Sequence, residues 1–156
     1  MLNYNSVIKN EIKQENISVK EISPVIKINL RGKKREFLTN VGKNLNMILP
    51  TEANTSTTSD KLTAIWLSPD EWMIISNELA SKDTNKSDLY EMLFNSISKT
   101  NLGAVIDVTD QFVQLELKGE NVYEIFSAGS PFNFNEFKEK KGSTTQTILN
   151  HVDVIL

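Results

Sequence analysis

Few groups of side chains in this sequence have the types and spacing that acid–base or nucleophilic chemistry needs. Its 156 residues include no cysteine and a single histidine, His151. The lack of cysteine excludes thiol nucleophiles, disulfides and thiolate metal sites. A serine or threonine nucleophile would need His151 as its base, yet this residue stands at a corner between two predicted strands without an identifiable acid–base partner. We therefore expect His151 to be a turn residue and not a catalytic base.

The carboxylates of "DVTD", Asp107 and Asp110, are the candidates for a paired-carboxylate site. They flank a predicted strand end, however, where turn and cap roles are commoner, and the sequence favours these roles. No phosphate-binding loop, GxGxxG or HExxH motif is present. We accordingly assign no catalytic, cofactor-binding or metal-binding residue to this chain.

The most unusual stretch is "AIWLSPDEWMIIS" at residues 64–76, in which Trp66 and Trp72 stand on either side of a turn through Pro69 and Asp70. Two strand-like runs around this turn predict a hairpin. Strand alternation would send both indoles to one face, and to the other face Ile65, Leu67, Met73 and Ile75. Core packing is the favoured role of the tryptophans, and an interface role is the alternative.

A second aromatic stretch, "SPFNFNEF", carries Phe132, Phe134 and Phe137 in a predicted loop. Phenylalanines at this spacing could stack on a planar ligand, but they more often form a small satellite core or a buried contact surface. Phe132 and Phe134 therefore join Trp66 and Trp72 as candidate interface or structural residues.

The first half of the chain predicts strands and one helix around these residues. Residues 17–22 and 25–32 alternate apolar and polar side chains and are expected to start the sheet. Residues 35–49 place apolar side chains at helical spacing, in a helix expected to end near Asn44. The Thr-, Ser- and Asn-rich stretch 50–61 predicts an exposed and mobile connection.

The second half continues with the most clearly predicted helix, at residues 85–100, with Ser87 or Asn85 as its N-cap. Residues 103–110 and 112–119 predict a hairpin-like pair of strands.

The last segments predict a short helix that Gly129 ends, followed by strands at residues 143–150 and 152–156. The order of elements predicts an α+β fold with mostly antiparallel sheets and helices packed to one side.

Composition limits the class of protein further. Hydrophobic content of 39% and charged content of 24% are ordinary for a globular chain, and the length suits a single domain over residues 1–156. A formal net charge of −3 gives no broad attraction to phosphate backbones, so we expect no nucleic-acid partner. Since no apolar run approaches a signal peptide or membrane span, we expect a cytoplasmic protein without membrane contact.

Five segments together resemble a known family. Leu49-Pro50 with Glu52-Ala53-Asn54, "IWLSPDEWMIIS", "VIDVTD", "LELKGENVYEIF" and "GSPFNFNEF" with "GSTTQTIL" occur in the order and at the spacing of the gamma subunit of heterotetrameric sarcosine oxidase. The resemblance runs from about residue 24 to the end, and the tryptophan hairpin is its most specific part.

The sequence departs from the family at three places. Ser68 replaces the usual glycine of the hairpin, and Asn133-Phe134 replaces an Asp-Leu pair. The family's carboxy-terminal strand and closing helix have no counterpart after Leu156, so the fold is expected to be incomplete alone.

The resemblance implies an aminomethyltransferase-like folate-binding-domain fold made of duplicated sheet-and-helix units. It also implies a non-catalytic structural subunit that assembles with alpha, beta and delta subunits. The complex would oxidise sarcosine to glycine, produce hydrogen peroxide and pass the one-carbon unit to tetrahydrofolate. FAD, FMN, NAD and tetrahydrofolate would lie on the other subunits. The alternative is a stand-alone folate- or pteridine-binding module that uses the aromatic loop and Asp107.

Overall fold

A computed structural model of the chain describes residues 5–22, 24–79, 88–135, 137 and 140–156. This part has the α+β class expected from the sequence, with antiparallel sheets and few helices. Its strands are β1 (Ile12–Gln14), β2 (Ile17–Glu21), β3 (Val25–Arg31), β4 (Ser56–Thr58), β5 (Leu62–Ser68), β6 (Glu71–Leu79), β7 (Ala104–Asp107), β8 (Leu115–Lys118), β9 (Gln146–Leu149) and β10 (Val152–Ile155). Its helices are α1 (Arg35–Leu45), α2 (Asp88–Leu93) and α3 (Val122–Gly129), with a π-helical turn at Phe94–Ser98 and a 3-10 turn at Thr109–Gln111.

An antiparallel sheet of five strands, in the order β4-β5-β6-β3-β7, organises the fold. Because side chains alternate along a strand, the sheet has two distinct faces. The first, which we call the helical face, packs against α1 and the α2 region through Ile28, Leu30, Ala64, Trp72, Ile74 and Val105. The opposite face, which we call the second face, carries Asn29, Met73 and Ile106.

Helix α1 covers the helical face because Phe37, Val41 and Leu45 recur every four residues and are all buried. It ends where Asn46 adopts a left-handed conformation with φ 49°, and the Met47 N–H donates to the Gly42 carbonyl at 3.2 Å. The predicted end near Asn44 is therefore confirmed to within a residue or two.

The helix predicted at residues 85–100 is present from Asp88 to Ser98, with a π-helical second half. Leu93 and Ile97 from this region are fully buried in the same core as α1. The proposed N-caps, Asn85 and Ser87, lie outside the described residues.

Two smaller sheets complete the described part: a three-stranded sheet in the order β1-β2-β8 and a two-stranded hairpin of β9 and β10. The hairpin confirms the two predicted terminal strands. Strands β2 and β3, expected to start one sheet, belong to different sheets. Strand β1 was not predicted, since its three residues are all exposed and show no apolar periodicity.

The hairpin predicted from residues 103–110 and 112–119 is wrong. Strand β7 pairs with β3 and strand β8 pairs with β2, in two separate sheets. At the junction, the Val108 N–H donates to the Lys27 carbonyl at 2.9 Å, which directs the chain away from a tight hairpin. Alternation identifies a strand, whereas its partner depends on contacts far away in sequence.

The stretch 50–61, expected to be a mobile connection, is partly structured. Ser56–Thr58 form β4, the edge strand beside β5. The Ser56 N–H also donates to the Gly142 carbonyl at 2.9 Å, and Pro50 is buried. A Ser- and Thr-rich segment can pair at a sheet edge because its backbone bonds do not require apolar side chains.

Candidate functional site

The tryptophan hairpin predicted from the sequence is present. Trp66 and Trp72 are direct cross-strand partners, and a register shift between Trp66 and Ser68 places Leu67 in a bulge. Trp72 is 2% exposed, its Nε1 donates to the Pro50 carbonyl at 2.7 Å, and its ring lies 5.7 Å from that of Phe37. Trp72 is thus a satisfied core residue of the helical face.

Trp66 lies on the same helical face but is only partly buried against the core. Its backbone N–H donates to the Thr55 carbonyl at 3.0 Å, beyond the end of β4. Since the pair shares one face, Met73 points to the second face of the sheet, where it is 3% exposed. The hairpin therefore contributes buried side chains to both faces.

Pro69 and Asp70 form the connection between β5 and β6. The Ser68 hydroxyl donates to Asp70 Oδ1 at 2.9 Å, while Lys33 Nζ and Arg31 Nη2 lie 3.6 and 3.7 Å from the Asp70 carboxylate. The Ser68 hydrogen bond lowers the pKa of Asp70, partial burial opposes this, and the charges of Lys33 and Arg31 lower it further. These contacts fix the turn, although ion pairs this long and exposed stabilise little.

The phenylalanine loop packs into an aromatic cluster with α3. The ring of Phe134, which is 2% exposed, lies 4.9 Å from Phe132, 5.5 Å from Phe126 and 5.8 Å from Phe137. Tyr123 from α3 adds edge contacts to the cluster. Phe134 is therefore enclosed by neighbouring rings, whereas Phe132 is half-buried at the margin.

The polar candidates take turn positions. His151 is exposed in the tight turn between β9 and β10, after Asn150 with φ 56°. The Asp107 carboxylate accepts the Thr109 N–H at 3.0 Å, which closes a local turn at the end of β7. Asp110 interacts instead with the charge of Lys27.

Lys27 is a buried cation that the sequence analysis did not single out. It is 3% exposed, and its Nζ donates to the Val25 carbonyl at 3.3 Å. Burial lowers the pKa of Lys27 below its ordinary value, and the negative charge of Asp110 partly opposes this effect.

A cleft of about 630 Å³ lies between the second face of the five-stranded sheet and the β9–β10 hairpin. We call it the hairpin cleft, and its lining residues include Asn29, Leu67, Glu71, Met73, Phe112, Ile148, Asp153 and Ile155. Its volume is within the range of small-molecule sites, and its walls are mostly apolar with a few polar groups. Neither tryptophan lines the cleft, and neither do Phe132 and Phe134.

No sequence pattern predicts this site, because its two walls come from segments far apart in the chain. Alternation along the terminal strands places Ile148 and Asp153 on one face, as their direct pairing confirms. The opposite wall comes from β3, β5 and β6, and only the folded chain shows which sheet the hairpin faces. Gln146 Nε2 makes this connection by donating to the Leu67 carbonyl at 2.7 Å.

The described residues contain no group of three Asp, Glu or His side chains placed to hold a metal ion. No helix within these ranges has the length and hydropathy that a transmembrane span needs.

One comparison with known proteins gives a close structural likeness. The chain is similar to a chain of the heterotetrameric sarcosine oxidase from Corynebacterium sp. U-96, solved in complex with pyrrole 2-carboxylate. The TM-score is 0.78 at 17% sequence identity, over 94% of this chain and 72% of that chain. Comparisons with protein-family models and with curated protein sequences gave no match. At this identity the likeness shows a shared fold.

Proposed function

We propose that this chain is a non-catalytic subunit of a heteromeric oxidoreductase of the sarcosine oxidase type. The observation that carries the proposal is the structural likeness, which extends over 94% of the chain to a component of a heterotetrameric enzyme. The residues by which the sequence resembles a gamma subunit, above all the tryptophan hairpin, point in the same direction.

The positions of the residues that the sequence singled out support a non-catalytic role for this chain. Trp72 and Phe134 are each 2% exposed and serve as core residues, and Asp107 closes a turn. In the proposed complex the alpha, beta and delta subunits would bind FAD, FMN, NAD and tetrahydrofolate and oxidise sarcosine or a related N-methyl amine. This chain would stabilise their assembly.

The test is co-expression of the tagged chain with the alpha, beta and delta subunits of a sarcosine oxidase encoded in the same genome. We expect a complex of all four chains that forms hydrogen peroxide with sarcosine, while the chain purified alone is colourless and inactive. A flavin that stays bound to the isolated chain through dialysis, or a complex of full activity without this chain, would refute the proposal.

The alternative function is a stand-alone folate- or pteridine-binding module, and the hairpin cleft is the observation that favours it. A pterin ring could stack its flat aromatic face on Phe112. Its N–H groups could donate hydrogen bonds to the carboxylates of Glu71 and Asp153. Calorimetric titration of the isolated chain with tetrahydrofolate tests this alternative. Saturable binding that Phe112→Ala weakens would support it, and the absence of binding would exclude it.

A further inference from the structure

The hairpin cleft has two walls of different origin. One is the second face of the five-stranded sheet, with Leu67 and Met73. The other is one face of the β9–β10 hairpin, where Ile148 pairs with Asp153 and Gln146 pairs with Ile155. The cleft is therefore a space between two sheets, and the Gln146 side chain bridges them through its hydrogen bond to the Leu67 carbonyl.

The hairpin is also held from its other side, by the end of α3 and the residue that follows it. Leu149 packs against Gly129 at the end of α3, and the Asn150 N–H donates to the Gly129 carbonyl at 2.6 Å. The Thr147 and Ser130 hydroxyls are 2.9 Å apart. These contacts fix the hairpin on α3 and leave its cleft-facing side chains open to solvent.

Large apolar side chains are exposed in and beside the cleft. Phe112 is 41% exposed and Ile148 is 45% exposed, and both line it. Ile106 is 45% exposed and pairs with Asn29, another lining residue, so a further exposed apolar side chain lies beside the cleft on β7. Large apolar side chains exposed close together are typical of protein-interaction sites, and a ligand confined to the cleft would leave Ile106 uncovered.

The charges of the cleft are acidic. Glu71 accepts a hydrogen bond from Asn29 at 2.7 Å and lies 3.8 Å from Arg31. Asp153 also lines the cleft, and no ion pair joins it to another described residue. A cationic side chain would therefore complement this surface.

We propose that the hairpin cleft docks a segment of another subunit that presents an apolar side chain beside a lysine or arginine. The apolar side chain would cover Phe112 and Ile148, and the cation would pair with Asp153. This inference rests on the proposed function, since it assigns the surface by which the chain joins the complex.

The experiment compares variants in the co-expressed complex and in titrations of the purified chain against the remaining subunits. Ile148→Ser and Phe112→Ser each remove one exposed apolar side chain that lines the cleft, and Asp153→Lys reverses the charge of a lining carboxylate. Ile48→Ser is the matched control, because Ile48 is 83% exposed near the end of α1 and does not line the cleft. Thermal unfolding of each variant confirms that it folds.

We expect each of the three cleft variants to raise Kd about tenfold or more, and Ile48→Ser to leave it unchanged. Higher salt is expected to weaken binding of the parent chain more than binding of Asp153→Lys. If the parent chain assembles and the cleft variants assemble equally well, the docking proposal is wrong while the subunit role stands. If the parent chain does not assemble at all, both proposals fail. Tetrahydrofolate that binds the cleft with the subunits absent would also overturn the docking proposal.

Discussion

Trp66 and Trp72 face each other directly across β5 and β6, yet Trp66 is only partly buried, whereas Trp72 is almost fully buried and its Nε1 donates to the Pro50 carbonyl at 2.7 Å. The two members of one cross-strand pair thus contribute unequally to the core. Trp72 joins the central sheet to the chain that follows α1, whereas Trp66 covers the margin of the same core.

This difference predicts unequal effects of substitution. Trp72→Ala is expected to lower the free energy of unfolding by about 3–5 kcal/mol, because it removes a buried aromatic side chain. Trp72→Phe keeps most of the packing but leaves the Pro50 carbonyl without its donor, at a cost of about 1–3 kcal/mol. Trp66→Ala should cost less than Trp72→Ala. Denaturant unfolding of the isolated chain measures the stability of all three variants. Equal losses for Trp66→Ala and Trp72→Ala would contradict the conclusion that Trp72 is the more buried core residue.

Phe134 and Phe132 of the aromatic cluster allow a second comparison between a buried and a half-buried side chain. Phe134→Ala removes a ring that is 2% exposed and surrounded by other rings, and we expect a loss of about 3–5 kcal/mol. Phe132→Ala, at the half-buried margin, should cost clearly less. Thermal and denaturant unfolding measure both losses. A Phe134→Ala variant as stable as the parent would exclude a core role for Phe134 and favour contact with a partner.

The Asp70 turn makes stability depend on acid pH. Its folded pKa lies below the ordinary value of 3.8, so the unfolded state binds more protons as pH falls. The contribution of Asp70 is therefore complete above the unfolded pKa and is lost as pH falls through the folded pKa. Ser68→Ala removes the largest cause of the shift and should raise the pKa of Asp70, as measured by carbon NMR of its carboxyl group. Lys33→Ala should raise it less, and an unchanged pKa in Ser68→Ala would contradict the hydrogen bond.

Lys27 makes stability depend on alkaline pH. Unlike the charged form of Asp70, which stabilises the fold, the charged form of Lys27 destabilises it. Burial places its folded pKa below the ordinary 10.5, so the charged form destabilises the fold below the folded pKa. Stability should rise with pH from the folded pKa up to the unfolded one. Lys27→Met should abolish this rise and stabilise the chain near neutral pH by up to about 1 kcal/mol.

The control for this prediction is Lys34→Met, since Lys34 is exposed just before α1. It should change stability by no more than about 0.5 kcal/mol and keep the alkaline rise. Urea unfolding between neutral and alkaline pH provides the measurement. Identical pH profiles for the parent and Lys27→Met would show that Lys27 is not the group responsible.

Gly103 marks a close approach between the start of β7 and β3. A Cβ at this position would overlap the Arg31 carbonyl oxygen and lie 2.9 Å from the Phe37 ring, so Gly103→Ala should cost about 1–3 kcal/mol or more. Gly42→Ala is the contrasting variant, because its Cβ would lie 3.2 Å from the Met47 carbonyl and alanine favours the helix by about 1 kcal/mol. A Gly103→Ala chain as stable as Gly42→Ala would contradict the predicted clash.

Local patterns in the sequence determined the elements that depend on neighbouring residues. The tryptophan hairpin followed from alternation around Pro69-Asp70, and α1 followed from apolar residues spaced four apart. The α+β class followed from the order of these elements. In each of these cases the pairing or the buried face depends on residues within a few positions of one another, so the sequence carried enough information.

Tertiary structure alone decided the partners of β7 and β8 and the position of the hairpin cleft. Ile148 and Phe112 belong to segments that carry no motif, and they line one cleft only because β9–β10 lies over the second face of the sheet. The burial of Lys27 and the acceptor of the Trp72 N–H likewise depend on distant segments. A side-chain period of two specifies which residues share a face, but it does not specify what that face meets. That choice is set by the packing of the whole chain.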